Sequence, residues 1–178
     1  TPPVYINPVS SLKCVDHTIE IASAQIKSSI MLAGLYGDSA FKIITPQSRN
    51  HTEIMLSEFG CNISVKADSI ELVPGKLVTP NQIEIPGDIS SAAFFIVGSI
   101  ISRDSQIKIN NVGLNPLRIG FIKILKMMGA NIQISNERII NGELIGDIYT
   151  ESSILNGIDI PTELISSSID ELPLIVLA

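Results

Sequence analysis

The chain has 178 residues, of which 45% are hydrophobic and 17% charged, with a net charge of -6. This composition predicts an ordinary soluble core, and the absence of a basic run excludes nucleic acid as partner, because backbone phosphates are held by clustered Lys and Arg. No apolar stretch approaches the ~20 residues of a membrane helix, residues 1–5 lack the basic-then-apolar order of a signal peptide, and Cys14 and Cys61 stand in no metal-ligand spacing, so both are expected as free thiols in a cytoplasmic protein.

The chain repeats itself. Ile19-Glu20-Ile21, Ile83-Glu84-Ile85 and Ile158-Asp159-Ile160 look like three copies of one strand. After the first copy the patterns predict a helix over 24–36, a strand over 41–44, a helix over 50–59 and a strand pair over 62–65 and 69–72. After the second they predict a helix over 90–101, a strand over 106–109, a helix over 116–128 and a strand over 131–134. In both units a glycine, Gly60 or Gly129, follows the second helix, as a left-handed cap would require. Each unit therefore reads as βαβαββ, an α/β arrangement of the α+β type. Helices so widely apolar need sheets to cover them, which predicts helices inside and sheets outside.

The first strand-to-helix turn carries the strongest chemical signal. Ser23 stands at the predicted N-cap of the helix that begins Ala24-Gln25-Ile26-Lys27. A hydroxyl, free backbone amides and the positive end of a helix dipole make an anion site, with Gln25 and Lys27 as further donors. The same features also describe a capped, buried helix with no ligand.

The run Ala22-Ser23-Ala24-Gln25-Ile26-Lys27-Ser28 resembles the enolpyruvyl-shikimate-phosphate synthase family. Four further runs are similar to the same family and keep its order. They are Ser48-Arg49-Asn50-His51-Thr52-Glu53, Pro86-Gly87-Asp88 with the helix start behind it, Asn115-Pro116-Leu117-Arg118-Ile119-Gly120-Phe121 with Met128-Gly129-Ala130, and Ile169-Asp170-Glu171-Leu172-Pro173. The family is known for two lobes, each of three βαβαββ units around buried helices. The resemblance implies that residues 1–84 are the last unit of one lobe and residues 85–178 one and a half units of the other, with a hinge near 85–88. It further implies transfer of the enolpyruvyl group of phosphoenolpyruvate to the 5-hydroxyl of shikimate 3-phosphate, without metal or cofactor.

Shikimate 3-phosphate is then expected on Ser23, the Ala24 amide, Gln25, Ser48 and Arg49, with Asp170 as the catalytic acid–base. Ser48 also reads as an N-cap with Thr52 and Glu53 close behind it, Arg49 as a solvated first-turn residue, and Asp170 as a helix-start acid favoured by the dipole. The family's Pro and Arg before the last motif are Ser166 and Ser167 here, and its Asp beside the basic residue of the second motif is Asn50.

The resemblance places nearly all the family's phosphoenolpyruvate cations before Thr1 and after Ala178. The sequence also stops inside the apolar run Leu174-Ile175-Val176-Leu177-Ala178, so it is expected to be an inactive piece of a longer enzyme. The helix face carrying Phe94, Phe95, Ile96 and Val97 is expected to lie uncovered and to drive self-association. The competing reading is a non-catalytic duplicated βαβαββ module.

Overall fold

The computed structural model describes residues 3–80 and 82–178. The chain divides into two units, Thr1–Asn81 and Gln82–Ala178.

The first unit runs β1 (His17–Thr18), α1 (Ala24–Gly34), β2 (Phe41–Ile44), α2 (His51–Glu58), β3 (Asn62–Val65) and β4 (Ser69–Val73). The strands order as β1-β2-β4-β3; β1 is parallel to β2, and the other pairs are antiparallel. Alternation decides what is buried. Phe41 and Ile43 point inward with Ile70 and Leu72, and meet Met31 of α1 and Leu56 of α2. Helix α1 lies so close to β2 that a Cβ on Gly34 would come within 2.2 Å of the Phe41 ring.

The second unit runs α3 (Ile89–Ile101), β5 (Gln106–Gly113), α4 (Gly120–Met127), β6 (Asn131–Ile140), β7 (Glu143–Glu151), α5 (Thr162–Ile165) and α6 (Leu172–Leu177). Its sheet has the order β5-β7-β6, and an isolated parallel bridge joins Gly87 to Val112 of β5. With that bridge in the place of β1, the strand order repeats that of the first unit. Ile89, Ala93, Ile96 and Ile100 of α3 pack with Phe121, Ile124 and Leu125 of α4 over Val112, Ile132 and Ile148 of the sheet. In both units the second helix ends on a left-handed glycine, Gly60 at φ 75° and Gly129 at φ 106°. The next amide bonds back across the last turn, Cys61 N–H to Leu56 O at 2.9 Å and Ala130 N–H to Leu125 O at 2.9 Å.

The three isoleucine triplets are not three strands. The first strand ends at Thr18 with one further bond, Ile19 N–H to Ile44 O at 2.8 Å, and Ile21 is exposed. Neither 83–85 nor 158–160 belongs to a strand. A three-residue alternation cannot fix a ladder without a backbone partner. At 83–85 the Glu84 N–H is taken by the Asn141 side chain instead, at 2.9 Å. The uncovered face of α3 is also narrower than expected. Phe94 and Phe95 are 65% and 64% exposed, but Ile96 and Val97 are buried, because ~100° per residue turns them onto the core side with Ala93 and Ile100. Among the described residues, no helix is long and apolar enough to cross a membrane.

Candidate anion site at two helix starts

Strands β1 and β2 are parallel neighbours, so the loops that follow them leave the same edge of the sheet. The starts of α1 and α2 therefore stand side by side. Ser23 has extended backbone, φ -143° and ψ 108°, and its Oγ accepts the Ile26 N–H at 3.3 Å. It is a true N-cap, as its residue type demands. Behind it, the N–H groups of the first helical turn, beginning with Ala24, have no partner inside the helix and aim outward with the positive end of the dipole. Gln25 is exposed on that turn.

Ser48 and Arg49 lie between β2 and α2, both half-buried. The cap position of α2 is Asn50, whose side chain makes no capping bond, so Ser48 does not cap this helix. Instead, the Ser48 hydroxyl oxygen is buried without a hydrogen-bond partner among the described residues. Leaving such a group unsatisfied costs about 1–3 kcal/mol, which a ligand oxygen would recover.

Lys27 departs from expectation. Its position in sequence suggests a donor to the anion, yet its side chain is buried and turned toward α2. The ammonium meets Glu53 Oε1 at 2.5 Å and donates to Arg49 O at 2.9 Å and Ser48 O at 3.3 Å. Three donors meet three acceptors, so none is left to give to a ligand. One residue on, the Ser28 and Thr52 hydroxyls share a hydrogen bond of 2.7 Å. This cross-link between the two motifs was missed in the sequence. The only signal was a Lys and a Glu each placed in the first turns of neighbouring helices.

In the second unit, Gly87 and Val112 are parallel partners, so the starts of α3 and α4 likewise share an edge. Asp88 caps α3, accepting from Ser91 N–H at 2.8 Å and Ser91 Oγ–H at 2.9 Å. Arg118 reaches across from the loop before α4, donating to Asp88 Oδ1 and Ser90 Oγ, each at 2.8 Å. Partial burial works against the Asp88 charge, but the Ser91 N–H, Arg118 and the Ser91 hydroxyl outweigh it and lower its pKa. Asp170 is exposed in the turn before α6, and Glu171 behind it is buried at the cap position. That turn rests on the first residue of α4. Gly120 N–H bonds Ser167 O at 3.3 Å, and a Cβ at 120 would lie 2.1 Å from Ser167 Oγ. The departure at Ser167 is thus the contact surface for Gly120. The fold brings Ser23, Ala24 and Gln25 beside Ser48 and Arg49 in one unit; Asp170 belongs to the other.

The family model of EPSP synthase (3-phosphoshikimate 1-carboxyvinyltransferase) matches residues 1–178. The chain belongs to the EPSP synthase family. A 3-phosphoshikimate 1-carboxyvinyltransferase of Ruthia magnifica is 47% identical over 178 residues, covering 99% of this chain and 41% of that protein. One from Hydrogenovibrio crunogenus is 44% identical over 183 residues, again covering 99% of the chain and 41% of the relative. The solved structure of EPSP synthase from Acinetobacter baumannii superposes with a TM-score of 0.86 at 43% identity, covering 97% of this chain and 40% of that one. The chain thus spans about 40% of the length of the EPSP synthases it matches.

Proposed function

We propose that this chain forms the shikimate 3-phosphate side of an EPSP synthase, in the cytoplasmic pathway that leads through chorismate to aromatic amino acids. The buried Ser48 hydroxyl, without a hydrogen-bond partner among the described residues and beside a capped helix start, carries the reading. The phosphate would take the Ser23 and Ser48 hydroxyls and the Ala24 amide, with the Arg49 guanidinium closing on its oxygens and Gln25 on the ring. The capped Ser23 and the buried Ser48 hydroxyl are in place before the ligand arrives, so little ordering of those two donors is required on binding.

In the reaction, the 5-hydroxyl gives up its proton as its oxygen attacks C2 of phosphoenolpyruvate, while C3 gains a proton. The C2–O bond to phosphate then breaks as C3 returns a proton, leaving the enolpyruvyl ether and free phosphate. Asp170 is the group we assign to the proton movements, in a second lobe reached through a hinge at 85–88. Residues 1–84 and 85–178 would be parts of the two lobes. No cofactor, metal, nucleic acid or membrane enters this scheme. By the same resemblance nearly all the cations the family uses for phosphoenolpyruvate lie outside 1–178, so the chain by itself is expected to bind shikimate 3-phosphate without turning it over. The exposed Phe94 and Phe95 would favour its self-association.

Phosphate release with both substrates, together with calorimetric titration of shikimate 3-phosphate, tests the reading. Binding without turnover supports it, and Ser48→Ala and Arg49→Ala should each weaken that binding. Turnover close to that of a complete EPSP synthase would overturn the assignment of an incomplete site. No binding would leave the non-catalytic module as the better description.

A further inference from the structure

We propose that Lys27 is a positioning residue for the anion site, and that the first two motifs are keyed to each other through residues that never touch the ligand. The inference rests on the reading of Ser48 and Arg49 as phosphate ligands. Lys27 lies one helical turn beyond Ser23, its N–H bonded to Ser23 O at 3.1 Å. Its ammonium holds the carbonyls of Ser48 and Arg49, the two residues read above as phosphate ligands. A single side chain therefore fixes the distance from one helix start to the main chain of the other loop. Glu53 neutralises Lys27 at 2.5 Å, and Ser28 with Thr52 adds a second tie, one residue after Lys27 on α1 and one before Glu53 on α2. Both partners of the ion pair are buried, with side chains 3% and 4% exposed.

Stability alone does not account for such a pair. A buried ion pair replaced by apolar residues of similar volume is commonly neutral or stabilising, whereas removal of one partner leaves an uncompensated charge. The pair is better explained by what it positions. Neither Ser48 nor Arg49 sits in a strand or a helix, so no regular ladder anchors their carbonyls. The Lys27 bonds supply that anchor. A displaced loop that forfeits a hydrogen bond to a charged ligand would lose about tenfold or more in affinity.

The test compares three variants of the chain: Lys27→Met, Lys27→Arg, and the double variant Lys27→Met with Glu53→Leu. The readouts are the urea midpoint, the carbonyl carbon-13 shifts of Ser48 and Arg49, and calorimetric affinity for shikimate 3-phosphate. The double variant keeps volume and removes both charges, so it should fold even where Lys27→Met does not. The expected result is a double variant about as stable as the parent, upfield movement of those two carbonyl resonances, and affinity lower by about tenfold or more. Lys27→Arg should regain much of the affinity, since a guanidinium can still donate to both carbonyls. A stable double variant with unchanged carbonyl shifts and unchanged affinity would overturn the proposal and leave the pair a packing feature. If the parent chain fails to bind shikimate 3-phosphate, the functional reading fails. The carbonyl shifts then still decide whether Lys27 holds the loop.

Discussion

The same substitution made at two glycines of the second unit should have opposite signs. Gly98 lies inside α3, and a Cβ there meets nothing within 4 Å. Gly98→Ala should therefore show the ordinary helix gain of roughly 0.5–1 kcal/mol. Gly120 begins α4, where the same methyl would fall 2.1 Å from Ser167 Oγ, 2.6 Å from Ser168 Oγ and 3.0 Å from Ser167 Cβ. The Ser167 hydroxyl could rotate away, but it would lose its bond to Leu164 O at 3.1 Å, at about 0.5–1.5 kcal/mol. The close Cβ would still press on the turn, and Ser168 behind it is fully buried. Overpacking of this kind costs about 1–3 kcal/mol, so after the helix gain Gly120→Ala should lose roughly 1–2 kcal/mol. In a unit of this size each kcal/mol moves the melting temperature by about 4–8 °C. Urea and thermal unfolding of both variants, followed by circular dichroism, measure the two signs. Adding Ser167→Ala to Gly120→Ala should recover part of the loss, since it removes the nearest atom. A Gly120→Ala protein as stable as the parent, with both serines in place, would show that the turn before Asp170 does not rest on α4.

Glu53→Ala should destabilise the first unit by about 3–5 kcal/mol, because it strands the buried Lys27 charge; the urea midpoint reads this directly. Asp88→Ala should cost about 1 kcal/mol by uncapping α3 and releasing Arg118, measured in the same way. Asp147 has its pKa lowered to about 2 by the Asn136 side chain, then by the Asn111 N–H and Lys108. A depressed carboxyl stabilises the fold fully above its unfolded value of ~3.9, and this contribution is lost as pH falls toward 2. Stability of the second unit should therefore drop across that window, and Asp147→Asn should flatten the drop; equal slopes in parent and variant would count against it.

How legible the chain was depends on what each segment had to specify. Helices α1, α2 and α3 were readable within about two residues at each end, because caps and glycines mark their ends chemically: Ser23 and Asp88 at starts, Gly60 after α2. Helix α4 begins at Gly120 rather than Pro116, since Asn115 Oδ1 accepts the Leu117 N–H at 3.0 Å and holds residues 116–119 in a turn. The hairpin of β6 and β7 went unread past Ile134, although Asn141-Gly142 between apolar runs is a strong turn signal. Both residues take positive φ, 49° and 75°, as a type I′ turn needs. Asn111 and Asn136, also left-handed, flank bulges that no alternation pattern shows. At the site, Ser23 was legible because capping is local. The turn of Lys27 toward Glu53 was not, because it depends on which way two helices face.

The decisive observation is a titration of the chain with shikimate 3-phosphate, followed by amide nuclear magnetic resonance. Ser23, Ala24, Gln25, Ser48 and Arg49 should shift together along one saturable curve, and Ser48→Ala should weaken that curve while leaving the unfolding midpoint at or above the parent's, because it removes a buried hydroxyl that lacks a partner among the described residues. Shifts scattered over both units without saturation, or a Ser48→Ala variant that binds as well as the parent, would contradict the assignment of this edge to the phosphate.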